Sequence, residues 1–218
     1  MTLRAFAQLP AGDLVLASAS STRAKILHDA GLGYRCYPVA IDEESVRASA
    51  SAEAVPAGDI AIILAEMKAA VAVQRLALET DPAPAYVLGC DQILSCDDVI
   101  YSKPQNHSMA KTQLMGLSGK THQLFCAAVL YRNGERIWHH LAIAKITMRR
   151  LDEDFIDSYL DRLGAAAFNS PASYQIENLG AQLLSRIDGC HFAILGLPLL
   201  ELLGILREHG LKPLENRQ

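Results

Sequence analysis

Apolar and polar residues alternate along this chain in blocks whose spacing changes from segment to segment, and the spacing predicts the elements. Asp13 to Ala17 reads as a short strand, and Ser20 to Ala30 as a helix opened by serine and stopped at Gly31. Tyr34 to Ala40 predicts a second strand. From Asp59 to Leu78 the apolar positions 60, 63, 64, 67, 71 and 78 recur as one face of a helix. Tyr86 to Cys90 is a short apolar run that predicts a buried strand delivering Asp91 at its far end, followed by an acidic loop at Asp97-Asp98. A helix is expected near Ser108–Leu117, ended by Gly119. Thr121–Tyr131 and Glu135–Met148 flank Asn133-Gly134, a strong hairpin signal. Asp152 caps a predicted helix to Leu163, a loop containing Pro171 leads to further short strands, and a last helix opens at Pro198 and stops at Gly210. Helices alternate with strands, but the hairpin is antiparallel, so the pattern predicts an α/β fold with a mixed sheet. The Ala/Ser-rich stretch 48–58 is the only linker candidate, and residues 1–218 are expected to form a single domain.

Composition narrows the classes. A chain of 218 residues, half of them hydrophobic, can bury one full-sized core. The net charge of −4 provides no chain-wide field for nucleic acid or an anionic membrane, so an anion would need a local cluster of Lys and Arg. Five cysteines without C-x-x-C spacing argue against a disulfide framework and a structural zinc site. The N-terminus lacks a signal-peptide core, and the apolar stretch 192–206 is interrupted by Gly196, Pro198, Glu201 and Gly204. A soluble cytoplasmic protein is expected.

Several segments carry candidate chemistry. In LASASSTRAKIL (16–27), Ser18, Ser20, Ser21 and Thr22 lie between a strand and a helix, with Arg23 in the first helical turn. Free N–H groups and hydroxyls there can hold a phosphate, and a cation at that end opposes the helix dipole unless an anion binds. Alternatively, Ser20 is a plain N-cap and Arg23 faces solvent. Asp42, Glu43 and Glu44 offer oxygen ligands to a hard cation, or form a solvated turn. Lys68, at the edge of an apolar stripe, must snorkel or reach an anion. Asp91 can deprotonate water, bind a metal or close a turn, and Lys103 returns a cation after the acidic excursion. Tyr174, Gln175, Glu177 and Asn178 can read a base edge or cap a strand. Cys90 suggests a thiol nucleophile, with no histidine placed by sequence to activate it. His122 and the His139-His140 pair fall in predicted strands and read as structural or exposed.

The ordered segments LASASSTRAKIL, IDEE, LAEMKA, GCDQIL, SKP, LSGKTH, SYQIENLGA and LGLPLLELL resemble the Maf family of nucleoside triphosphate pyrophosphatases over residues 14–207. The resemblance implies a single elongated Maf/ITPase-like α/β domain with a mixed twisted sheet, two lobes and a central cleft. It implies hydrolysis of a nucleoside triphosphate to monophosphate and pyrophosphate with a divalent cation, Mg²⁺ or Mn²⁺. Ser18, Ser20 and Arg23 match the phosphate-binding turn, Lys68 and Lys103 the phosphate-facing lysines, and Glu43 the acidic residue after the second strand. Asp91 matches the catalytic aspartate, as proton acceptor or metal ligand. Thr22, Gln92 and Glu177 stand at specificity positions; Gln92 and Glu177 resemble the 7-methyl-GTP branch, although that branch usually has tryptophan at the position of Thr22. Ser21 and Thr22 replace the family's usual Pro-Arg, and Ser170-Pro171 stands where a lysine is common. The expected partner is the nucleoside triphosphate itself, without nucleic acid or membrane, in a possible homodimer. A dTTP/UTP-preferring pyrophosphatase, a phosphatase releasing orthophosphate, and a non-catalytic nucleotide-binding regulator linked to cell division stand as alternatives.

Overall fold

A computed structural model describes residues 7–8, 13–79, 86–210 and 212–213. The elements, in chain order, begin with β1 (Ala7–Gln8), β2 (Leu14–Leu16), α1 (Ser21–Asp29), β3 (Arg35–Cys36), α2 (Glu43–Ala52) and α3 (Ala57–Leu76). They continue with β4 (Tyr86–Cys96), β5 (Val99–Tyr101), α4 (His107–Leu117), β6 (Thr121–Arg132), β7 (Glu135–Met148) and α5 (Glu153–Leu163). Short 3-10 turns at Gly164–Phe168, Pro171–Ser173 and Leu179–Leu183 precede β8 (Leu184–Asp188), α6 (His191–Ile194), α7 (Leu199–Glu208) and β9 (Lys212–Pro213). Seven strands form one mixed sheet in the order β3-β2-β4-β6-β7-β8, with β5 paired to β4, while β1 and β9 pair separately. No helix among the described residues is long and apolar enough to cross a membrane.

The chain divides into two compact units. The first comprises Met1–Asp91, Cys126–Leu141 and Gly196–Gln218; the second comprises Gln92–Phe125 and Ala142–Leu195. In the first unit β2 runs parallel to both β3 and β4, with Leu14, Val15 and Leu16 opposite Tyr86, Val87 and Leu88. All three β2 residues are fully buried, as a parallel strand covered on both faces requires. Helix α3 packs on this sheet through small side chains: Ala61, Ala65, Ala69 and Ala72 are fully buried. The contact is close enough that a Cβ built on Gly89 would lie 2.1 Å from the Ala65 carbonyl oxygen and 2.9 Å from Ala69 Cβ. Glycine at 89 is therefore a condition of the helix–sheet distance.

In the second unit a core of Leu94, Leu114, Leu117, Leu124, Ile146, Ile156, Leu160 and Leu183 lies under α4 and α5. Asn106 and Asp152 cap these two helices by accepting from the backbone N–H groups of Met109 and Phe155. The β4–β5 hairpin turns at Asp97 (φ 50°) and Asp98 (φ 63°), a left-handed pair that aspartates tolerate better than most residues. The acidic excursion is thus a hairpin turn.

Four expectations change. The strand expected over Tyr86 to Cys90 runs on to Cys96, so Asp91 is its sixth residue and lies within the strand. Pairing of Leu94, Ser95 and Cys96 with β5 supplies the ladder that extends it. The stretch 48–58 is the end of α2 and the start of α3, because Asp42 caps a helix whose serines the apolar pattern could not reveal. The strand expected over Tyr34 to Ala40 shrinks to Arg35–Cys36, which pairs only at the tip of β2. Of the short strands expected between Pro171 and the last helix only β8 forms; the other elements there are 3-10 turns and the short helix α6.

Candidate functional site

The first unit gathers seven of the ten residues to which the family resemblance gives a role. Ser20 sits at the N-cap of α1, its Oγ accepting from Arg23 N–H at 3.3 Å, and Ser18 Oγ accepts from Ser20 N–H at 3.2 Å. The Arg23 side chain does not reach solvent. It is buried, donating from Nε to the Gly196 carbonyl at 2.7 Å and from Nη1 to Ser18 Oγ at 3.0 Å. Among the described residues, no carboxylate lies within 4 Å of this guanidinium. A buried cation at a helix N-terminus, held by neutral oxygens and opposed by the helix dipole, is electrostatically incomplete without an anion. Thr22, in the same first turn, is half-buried.

Gly196 was not singled out by sequence reasoning and belongs with this group. Its φ is +104°, and a Cβ there would lie 3.3 Å from Arg23 Nε. The signal was present: glycine within an apolar run, immediately before the Leu197-Pro198 entry to a helix.

The second cluster is centred on Lys68. Its ammonium lies 2.6 Å from Asp91 Oδ1 and 2.6 Å from Glu43 Oε1. It reaches an anion rather than snorkelling. Three elements supply the three residues: Glu43 from the first turn of α2, Lys68 from the buried face of α3, and Asp91 from β4. The close approach at Gly89 sets the α3–β4 distance that brings Lys68 to Asp91. Burial opposes ionisation of Glu43, but hydrogen bonds and charge from Lys68, with Arg47 on its other oxygen, hold its carboxyl below its ordinary value. Asp91 is 4% exposed, and its Oδ2 is buried with no hydrogen-bond partner among the described residues. One carboxylate oxygen is thus fixed by Lys68 while the other is left to accept from, or coordinate, something else.

Cys90, between these groups in sequence, is fully buried, and burial pushes its thiol up to about 11 despite the charges of Arg23 and Lys68. A thiol so protonated is no nucleophile at neutral pH.

The remaining three residues belong to the second unit. Gln92 follows Asp91 on β4, and its amide nitrogen donates to the carbonyls of Ala193 (2.9 Å) and Ile194 (3.0 Å). Lys103 is exposed just beyond β5, with no carboxylate within 4 Å among the described residues. Glu177 is exposed on the segment between two 3-10 turns. His122 lies in β6 as expected, fully buried. His139 and His140 lie in β7, exposed and half-buried respectively.

A fixed carboxylate with a free oxygen, a lysine-bridged second carboxylate and an uncompensated arginine are groups that can, chemically, hold and act on an anionic ligand. Comparison with known sequences agrees with this class. Residues 13–209 match the family model described as Maf-like protein, and the chain belongs to that family. It is 45% identical over 196 residues to a nucleoside triphosphate pyrophosphatase of Paramagnetospirillum magneticum, covering 90% of this chain and 98% of that protein. It is 44% identical over 197 residues to a 7-methyl-GTP pyrophosphatase of Mesorhizobium japonicum, covering 90% and 96%. A 7-methyl-GTP pyrophosphatase of Brucella abortus is 45% identical over 194 residues, covering 89% and 94%.

Proposed function

We infer that this chain is a nucleoside triphosphate pyrophosphatase, a hydrolase of acid anhydrides that converts a nucleoside triphosphate and water to the monophosphate and pyrophosphate. The observation that carries the reading is Asp91: a buried carboxylate with Oδ1 fixed by Lys68 and Oδ2 unpartnered. Lys68 orients the carboxylate, and Oδ2 accepts the proton of a water attacking the α-phosphorus. The P–O bond to the β-phosphate breaks as the new P–O bond forms, and pyrophosphate leaves with the bonding pair. Arg23, lacking a carboxylate of its own, meets the phosphate chain together with the Ser18–Ser20 turn and the α1 N-terminus. Lys103, an exposed cation of the second unit, matches the second phosphate-facing lysine that the resemblance implies.

A divalent cation fits the donor set present. Among the described residues no three His, Cys, Asp or Glu side chains converge on one point. Mg²⁺ and Mn²⁺ do not need such a cage at a nucleotide site, where one or two carboxylates suffice and phosphate oxygens and waters complete the shell. Glu43 and Asp91 are the residues that would hold it, and Asp91 Oδ2 serves either as its ligand or as the proton acceptor, not as both at once. When bound, it would neutralise phosphate charge as a Lewis acid.

The proposed substrate is a modified guanine nucleotide such as 7-methyl-GTP. Glu177, exposed, offers a carboxylate that can accept from the N1–H and exocyclic amine of a guanine whose methylation adds positive charge. Relatives bearing the 7-methyl-GTP name, from Mesorhizobium japonicum and Brucella abortus, match the chain as well as those with the general name. Gln92 commits its amide nitrogen to the fold, so only its carbonyl oxygen remains to meet a base. The test is product analysis with Mg²⁺ or Mn²⁺ against 7-methyl-GTP, GTP, UTP, CTP and dTTP. Monophosphate plus pyrophosphate is expected, fastest with 7-methyl-GTP. Diphosphate plus orthophosphate would overturn the reaction, and a faster rate with UTP or dTTP would overturn the base preference.

A further inference from the structure

The sequence reads His122 as structural or exposed, yet its surroundings in the second unit are unusual for a packing residue. The ring is fully buried in β6, and Nε2 lies 2.7 Å from Tyr174 Oη, itself buried. Its Nδ1 has no partner among the described residues. Whichever nitrogen carries the proton, one ring nitrogen remains unsatisfied, a cost that phenylalanine or leucine would avoid. Burial also pushes the imidazole down to about 4, keeping it neutral.

The partner of His122 explains the retention. Tyr174 ends a strained stretch: Ala172 (φ 56°) and Ser173 (φ 55°) are consecutive left-handed residues, neither of them glycine. Such strain persists only where the surroundings over-determine it. Here Gln113 Oε1 accepts from Ala172 N–H, Tyr159 Oη donates to the Ser173 carbonyl, and Ser170 Oγ donates to the Tyr174 carbonyl. On the far side a Cβ at Gly180 would lie 2.6 Å from the Gln175 carbonyl oxygen and 3.0 Å from Tyr174 Cβ. The segment is therefore pinned at Tyr174 and again at Gly180, and Glu177 is carried between the pins.

We propose that His122 and Tyr174 are positioning residues for base recognition: the bond from β6 to Tyr174 Oη fixes the start of the segment that presents Glu177. The proposal rests on the reading of Glu177 as a base-recognising residue. Neither residue is among those proposed to meet the phosphates, so the pair acts on selection among bases and leaves chemistry on the phosphates intact.

The experiment compares Tyr174→Phe, which keeps the ring and removes Oη, with wild type, His122→Gln and Ser170→Ala. Steady-state kinetics are read with 7-methyl-GTP, UTP and inorganic tripolyphosphate, which has no base. Equilibrium binding is read with non-hydrolysable α,β-methylene analogues of the two nucleotides. Tyr174→Phe should lower the 7-methyl-GTP to UTP ratio of kcat/KM about tenfold, through KM, with tripolyphosphate turnover unchanged. His122→Gln, whose amide can still meet Tyr174 Oη, should recover most of the ratio. Ser170→Ala loosens the same segment from its outer side and should shift the ratio in the same direction, which keeps the test alive should Tyr174→Phe not fold. An unchanged ratio, or equal losses on all three substrates, would overturn the proposal. Absence of pyrophosphate from wild-type protein would instead strike the proposed reaction, and the binding ratios would still decide the positioning role.

Discussion

Replacing Gly89 by alanine adds one methyl group where the backbone of α3 already stands. The new Cβ would lie 2.1 Å from the Ala65 carbonyl oxygen and 2.9 Å from Ala69 Cβ. Ordinary contact begins near about 3.5 Å, so helix and strand must separate by on the order of 1 Å. The obstacle is a main-chain oxygen, which no side-chain rotation can relieve. Overpacking of this kind costs about 1–3 kcal/mol. The separation also acts on the Lys68–Asp91 contact, now 2.6 Å, whose charge-assisted hydrogen bond is worth about 1.5–3 kcal/mol. The expected loss is therefore about 2.5–6 kcal/mol, large against a typical domain stability of about 5–15 kcal/mol. Urea denaturation should show a lowered midpoint with an unchanged slope. Turnover should fall about 100-fold, the usual consequence of displacing a reacting group by 1 Å. Ala69→Gly introduced alongside should not restore either quantity, because it removes only the 2.9 Å contact. A Gly89→Ala protein with wild-type midpoint and turnover would refute the claim that this approach sets the site.

Asp91→Asn keeps an acceptor for Lys68 but removes the charge and the basic oxygen, so turnover should drop at least about 100-fold while the protein still folds, with a thermal midpoint lowered by the weakened Lys68 bond; near-normal rates would remove Asp91 from the mechanism. Arg23→Lys cannot span both the Gly196 carbonyl and Ser18 Oγ, and KM for the triphosphate should rise about tenfold in steady-state assays. His122 gives a pH signature in stability: the folded imidazole is held at about 4 against an ordinary 6.5. Its contribution is full above pH 6.5 and is lost progressively as pH falls to about 4, where the unfolded chain takes up a proton that the fold refuses. The total loss is about 3 kcal/mol. Glu43, held low, also loses stability as pH falls, but only as pH drops through and below its ordinary value of 4.5, so urea midpoints between about pH 5 and 6.5 report the histidine. His122→Gln should flatten that window, and an identical slope would assign the pH dependence elsewhere.

The legibility of this site varied with the kind of signal each residue leaves. Asp91 and Lys68 were visible because each is a charge placed against an apolar pattern, and the structure joins them in one ion pair. Helix α3 was visible too, but its face was only partly read. Ile60 and Leu64 are fully buried as expected, whereas Ile63 is 40% exposed and Leu78 88% exposed, and the buried stripe is completed by Ala61, Ala65, Ala69 and Ala72. Small residues carry little hydrophobic signal, yet here they set the packing distance, and only a glycine on the facing strand marks how short that distance is. The same limitation hid α2. Its sequence, EESVRASASA, has a single buried residue and its second half falls in the 48–58 linker candidate, although Asp42 is its N-cap and Ser45 N–H its answering donor. Glu43 consequently looked like part of a solvated acidic turn, whereas the helix it opens places it on Lys68. Arg23 was ambiguous for a different reason: a first-turn arginine reads equally as solvent-facing until its acceptors are known. Those acceptors are Ser18, five residues back, and Gly196, 173 residues onward. Local pattern reports the first of these and is silent on the second. What a sequence discloses about a site of this type is therefore its charges out of place. The glycines and alanines that bring those charges together become legible only when the distances are known.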